Sequence, residues 1–154
     1  MTDTIDTRLS TLGITLPTPA APVASYKPAI LHQGILTISG QLPFIDGELA
    51  TGKLGADVSL EQGQVAARAC GMMILAQARA VLGSLDRVEQ VIKLGGFVAS
   101  LPDFHDQPKV INGASDLMEE VFSEAGRHAR SAVGVPVLPL NAAVEVDAII
   151  AVRD

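Results

Sequence analysis

Apolar and polar positions alternate along the chain in two periods, and the changes from one period to the other mark out its elements. Residues 3–13 carry Ile5, Leu9 and Leu12 at helical spacing and stop at Gly13, which predicts a short amphipathic helix. Leu16-Pro-Thr-Pro-Ala-Ala-Pro22 follows as a proline-rich strap with no helix or strand of its own. Positions 29–39 read as a β-hairpin, with two β-rich runs (29–32 and 35–38) flanking Gln33-Gly34. Ser39-Gly40-Gln41 then breaks the pattern. A glycine there marks a bulge or lets a backbone or ligand approach closely. Turn-rich sequence at 46–48 and 51–55 precedes a long helix expected over 59–82. Ser59 and Gln62 match a capping box at its start, and Gly83 stops it. Its alanines and the run Met72-Met-Ile-Leu75 form an apolar surface broad enough to lie across a sheet. Cys70 and the methionines read as core filler. Positions 88–98 predict a long central strand with a bulge at Gly95-Gly96. A second helix is expected over 110–125, with Val110 or Ile111, Leu117, Met118, Val121 and Phe122 as its buried stripe. Strands over 131–138 and 142–152 complete the chain.

The order helix, hairpin, α, β, α, β-β predicts an α+β two-layer sandwich, with helices on one face of a mostly antiparallel mixed sheet. At 154 residues the chain is one ordinary domain, 1–154, with 1–22 as an N-terminal helix and strap. The last strand is apolar on both alternating sets, so both of its faces should be buried. In a two-layer protein only another subunit can cover the second face, which predicts an obligate homo-oligomer.

Composition narrows the function. The net charge is −6 and aromatics are 3% of residues, with no tryptophan, so neither a phosphate-backbone binder nor a base-stacking platform is expected. A single cysteine excludes an internal disulfide and a thiolate metal cluster. His32, His105 and His128 have no metal-ligand spacing and read as surface or strand residues. The acidic start MTDTIDTRLS lacks the apolar region of a secretory signal, and no apolar run reaches the roughly 18–20 residues of a membrane span. A soluble, cytoplasmic protein without a cofactor is the expectation.

Few residues stand out as chemistry. Arg130 sits where a polar loop enters a strand and suits a two-point grip on a carboxylate, or is a surface arginine with no task. Glu145 lies in an apolar strand, where it polarises a water, pairs structurally with an arginine or faces solvent, and Asp147 shares its side-chain parity. Ser39 and Gly40 could offer a hydroxyl or a backbone donor. Tyr26, the one tyrosine, caps a site or merely covers the core rim. Asn112 reads as a cap or first-turn residue of the second helix. Asp57, Asp86, Asp103 and Asp106 read as loop and cap acids. Cys70 has no histidine near it in sequence to make it a nucleophile.

Ser39-Gly40-Gln41-Leu-Pro, the stretch 98–104 with its Asp-Phe, Ala129-Arg130-Ser131 and Glu145-Val-Asp-Ala-Ile together resemble the RidA/YjgF family, over about residues 23–153 and in order. These are imine and enamine deaminases long labelled "endoribonuclease L-PSP". The resemblance implies a chorismate-mutase-like fold and a homotrimer with clefts between subunits. It also implies hydrolysis of 2-aminoacrylate-type imines to a 2-keto acid and ammonia. By that resemblance Arg130 binds the substrate carboxylate and Glu145 lies near the hydrolytic water. The resemblance also places Tyr26, Ser39, Gly40 and Asn112 at the pocket, and Ser131 is expected to help position the water. The sequence departs from the family pattern at Ala132, where many relatives have cysteine, and at His128, where proline is usual. Its 101–109 loop is longer, and an extra segment precedes Val23. A non-catalytic trimer that binds a small carboxylate is the alternative, and a ribonuclease the weaker one.

Overall fold

The computed structural model describes residues 3–21 and 25–154. In chain order its elements are α1 (Ile5–Thr11), β1 (Ala29–His32), β2 (Ile35–Gln41), β3 (Phe44–Ile45), β4 (Glu48–Leu49), α2 (Leu60–Leu82), β5 (Val88–Ala99), α3 (Gln107–Phe122), β6 (Ala129–Val135) and β7 (Val144–Val152). The main sheet runs β1-β2-β7-β5-β6. Only β5 and β6 pair in parallel, so the sheet is mixed and mostly antiparallel, as the pattern predicted.

The β1–β2 hairpin turns at Gln33 and Gly34, whose φ values of 50° and 76° are the pair a two-residue turn needs to follow the strand twist. At the start of α2 the Gln62 amide donates to Ser59 Oγ (3.1 Å) and the Ser59 amide donates to Gln62 Oε1 (2.9 Å). Two of the helix's orphan donors are thereby satisfied reciprocally. Both long helices lie on one face of the sheet. From β7 they bury Val144, Val146, Ala148, Ile150 and Val152, together with Leu36, Ile38, Val91 and Leu94 of the neighbouring strands. Cys70 and Met73 are core residues, as expected.

The opposite sheet face carries Ile35 and Thr37 of β2, Glu145, Asp147, Ile149 and Ala151 of β7, Phe97 of β5, and Ser131 and Val133 of β6. In one chain β7 therefore alternates buried with half-buried positions. At one end of this face Ala99, Leu138 and Ala142 form a small separate cluster with Phe97 and Leu49.

Several expectations need correcting. The bulge expected at Gly95-Gly96 is absent, because both residues stay in register with Asp147 and Val146, and the irregularities fall at Val88/Gln90 and Val91/Lys93. The two glycines instead leave room for the Asp147 carboxylate on one face and Ile111 on the other. The second helix begins at Gln107 and gives way to a 3-10 turn over Ser123–Gly126, where Ser123 has φ 57°. Asn112 thus lies in its second turn and caps nothing. Residues 44–49 form the small β3–β4 hairpin, where the pattern predicts only turns. By length and composition α2 passes for a membrane span (mean hydropathy 1.4), but 67% of that window is buried against sheet and α3, which makes it a core helix. Helix α1 and residues 12–21 pack outside the helical layer. Arg8 Nη1 donates to Val121 O (3.0 Å), and Gln77 Nε2 donates to Ala20 O (2.9 Å). Pro22, the last residue of the expected strap, lies outside the described residues.

Candidate functional site

Arg130 is the second residue of the edge strand β6, in register with Leu94, so its side chain lies on the helix-covered face at the sheet's rim. There it is held by α3. Its Nη1 donates to Asn112 Oδ1 (2.8 Å) and to Ser115 Oγ (3.0 Å), and its Nη2 donates to Pro108 O (3.0 Å). Residues 108, 112 and 115 fall on one helical stripe, which is why a single helix can supply all three acceptors. Every one of them is neutral. Among the described residues Arg130 makes no ion pair, whereas Arg127 beside it is neutralised by Glu119 (2.9 Å) and Glu124 (3.6 Å). An open cavity of about 270 Å3 lies alongside, lined by Asn112, Ser115, Asp116, His128 and Arg130 among others.

Glu145 belongs to a second group on the uncovered face. It is in register with Phe97 on β5, and its carboxylate lies over Gly40, where a Cβ would collide with it. The register of β2 against β7 shifts between Ile38 and Gln41, so the bulge expected at Ser39-Gly40 is present, while what approaches Gly40 closely is the Glu145 side chain and not a backbone or ligand. Buried amides brace that bulge. Gln41 Nε2 donates to Ser39 O (2.9 Å), and Gln77 Nε2 donates to Gln41 Oε1 (3.3 Å). Ser39 Oγ donates to Lys27 O (2.9 Å), which brings the Tyr26–Pro28 segment to the same end of the sheet. Tyr26 is 45% exposed. Partial burial raises the Glu145 pKa above the ordinary carboxylate value, and the neighbouring Asp147 charge adds to the effect. Burial raises Asp147 too, against the Gly95 amide and Lys93, which oppose it. Ser131 is exposed on this face, in the row of Gly95 and Asp147 and not in the row of Glu145.

The candidate residues thus fall into two groups within one chain. Arg130 and Asn112 form one, and Glu145, Gly40 and Ser39 form the other, with Tyr26 near it. Two strand spacings and three residues of rise separate Glu145 from Arg130, about 14 Å between backbones, and they face opposite sides of the sheet. Reading the sequence missed Ser115, although it sits one turn beyond Asn112, and treated His128 as an ordinary surface or strand residue. In the fold His128 Nε2 lies 2.9 Å from Ser115 Oγ and its Nδ1 lies 2.6 Å from Gly126 O. Gln41 and Gln77 were also missed, since nothing in a linear pattern distinguishes a buried glutamine from a solvated one. A larger cavity of about 780 Å3 lies between residues 15–20 and α2, lined by Leu16, Phe44, Met72 and Met73. Its arginine, Arg68, is already paired with Glu120 (3.1 Å), so it offers no free cation. No group of three or more metal-binding side chains occurs among the described residues.

Comparison with known proteins agrees with this fold. The chain is 52% identical over 144 residues to Protein TCP17 of Trypanosoma cruzi, covering 92% of this chain and 90% of that one. The structure of Atu1372 from Agrobacterium tumefaciens, a protein of unknown function, superimposes with a TM-score of 0.91 at 49% identity, over 98% of this chain and 94% of its own. The structure of E. coli TdcF with bound serine matches with a TM-score of 0.63 at 25% identity, over 89% and 94%. Residues 6–151 match the family described as "YjgF/chorismate_mutase-like, putative endoribonuclease". With its mixed sheet and one helical layer, and with residues 6–151 matched, the chain belongs to the YjgF/RidA family.

Proposed function

We propose that this protein hydrolyses small 2-imino and enamine acids to the 2-keto acid and ammonia, and that it does so as a homotrimer. The observation that carries the reading is the state of Arg130. A half-buried guanidinium held by neutral oxygens, with no ion-pair partner among the described residues, is a fixed positive charge that calls for an anionic partner. Of its five N–H donors three are committed to α3, leaving Nε–H and one Nη2–H, the number a carboxylate takes in a two-point grip.

The reaction needs little beyond positioning. Water adds to the C=N carbon of the bound imino acid, the resulting aminol loses ammonia, and the keto acid remains. Glu145 takes a proton from the attacking water and returns it to the departing nitrogen. Its raised pKa suits that double task, because a base poised nearer the working pH both accepts and donates readily. A small imino acid cannot bridge about 14 Å and a sheet. Arg130 and Glu145 therefore act on one substrate only when two copies of the chain supply them. The uncovered sheet face is the surface a partner would cover, and it brings Glu145, Ser39 and Ser131 with it. TdcF, a relative, has serine bound, which is an amino acid carrying the same carboxylate. The family description names a ribonuclease, but a chain of net charge −6 with 3% aromatic residues offers little to an RNA backbone.

The test generates an imine in situ with an amino-acid oxidase and follows its loss. Wild type should accelerate ammonia release. Arg130→Ala should lose about a hundredfold in kcat/KM, since two hydrogen bonds to a charge are worth about 3 kcal/mol together. An unchanged rate in that variant overturns the reading. Tight 2-ketobutyrate binding with no turnover of any small imine would favour a non-catalytic carboxylate-binding protein instead.

A further inference from the structure

We infer that Ser115 and His128 form a directional hydrogen-bond relay that positions Arg130 for carboxylate binding. The inference rests on the reading of Arg130 given above and deepens it. The direction follows from the partners. The carbonyl of Gly126 can only accept, so the ring nitrogen 2.6 Å from it, Nδ1 of His128, carries a proton. In the neutral imidazole Nε2 is then the acceptor. The atom 2.9 Å from Nε2 is Ser115 Oγ, so the serine hydroxyl donates its one proton to the ring. That leaves the Ser115 oxygen with only lone pairs to present, and Arg130 Nη1 donates to it at 3.0 Å.

The chain Arg130 to Ser115 to His128 to Gly126 therefore has one sense throughout, with every donor matched to an acceptor. Without His128 the hydroxyl is free to rotate and can turn its proton towards the guanidinium. With His128 it cannot. The relay also ties together three separate pieces of backbone: α3 through Ser115, the 3-10 turn through Gly126, and the chain entering β6 through His128 and Arg130. Asn112 Oδ1 and Pro108 O fix the remaining committed donors. Arg130 is thus oriented before any ligand arrives, which lowers the ordering cost of binding. Ser115 and His128 are positioning residues and need not touch the substrate.

The experiment compares wild type with Ser115→Ala, Ser115→Thr and His128→Phe. It measures 2-ketobutyrate binding by calorimetry and imine turnover with kcat and KM separated. Ser115→Ala and His128→Phe should each raise the 2-ketobutyrate Kd and the imine KM about tenfold while kcat stays within about twofold. Ser115→Thr, which keeps the hydroxyl, should restore most of the affinity. A measurement independent of any variant is the 15N spectrum of His128 in wild type at mildly alkaline pH. Protonated Nδ1 and bare Nε2 are expected, and a protonated Nε2 overturns the relay. Unchanged Kd and KM in folded Ser115→Ala also overturn it, even where Arg130→Ala is inactive and the deaminase reading stands. Absence of turnover in wild type would remove the deaminase reading and leave the relay to be judged on 2-ketobutyrate affinity and the spectrum.

Discussion

The two charged groups that matter are treated in opposite ways. Arg130 is given hydrogen bonds without a counter-charge, and Glu145 is given burial and a like charge. The Glu145 environment fixes a pH dependence with a definite sign. Its pKa in the fold lies above the ordinary glutamate value, first from burial and then from Asp147. Folding therefore favours the protonated form. The stability this contributes is complete below the ordinary glutamate range and is lost as pH rises through the raised value. Glu145→Gln removes the ionisation. Its melting temperature should exceed that of wild type at neutral pH, and the difference should shrink to nothing on acidification. Melting curves across that range check this, and a variant less stable than wild type at neutral pH would contradict it. The same substitution removes the proposed base, so kcat for imine hydrolysis should fall at least about a hundredfold. The acid limb of the wild-type rate profile should sit above the ordinary glutamate pKa.

At the scale of elements, the parts of the fold legible in the sequence are those with a local cause. The capping box and Gly83 fixed both ends of α2, and Gln33-Gly34 fixed the first hairpin, because each depends on residues within one turn of chain. The role of Gly95-Gly96 was not legible, since it is set by Asp147 and Ile111, which are distant in sequence. The same holds for the site. Arg130, Glu145 and the Ser39-Gly40 bulge could be singled out as candidates, whereas the Ser115–His128 pair could not. Its hydrogen bonds exist only once α3 and β6 are side by side. What brings α3 into place is close packing on α2. A Cβ at Gly113 would run into the backbone carbonyl of Gln64. Gly113→Ala should therefore push the two helices apart and cost about 2–3 kcal/mol of stability. Because Gly113 adjoins Asn112 and lies two residues before Ser115, the same variant should weaken 2-ketobutyrate binding. Denaturant unfolding and calorimetry on one sample test both. Full stability would mean that the backbone contact yields at no cost.

For the whole molecule, the decisive feature is that one chain holds Arg130 and Glu145 on opposite faces of its sheet, about 14 Å apart. A site that needs both must be shared between copies, and in the homotrimer proposed above the second copy covers the face around Glu145 and Ile149. Sharing makes a quantitative prediction. Arg130→Ala chains supply a good glutamate and no guanidinium, and Glu145→Gln chains supply the reverse, so each pure variant is inactive. Mixed in equal amounts after dissociation and reassembly, half of the chains at each cleft carry the intact arginine and half carry the intact glutamate. About one quarter of the clefts should then hold both, and turnover should recover to about one quarter of wild type. Were both residues drawn from a single chain, no mixture could hold an intact pair and activity would stay at zero. Sedimentation of the reassembled mixture should give the mass of three chains, and a monomer that turns over imines would overturn both the trimer and the shared cleft.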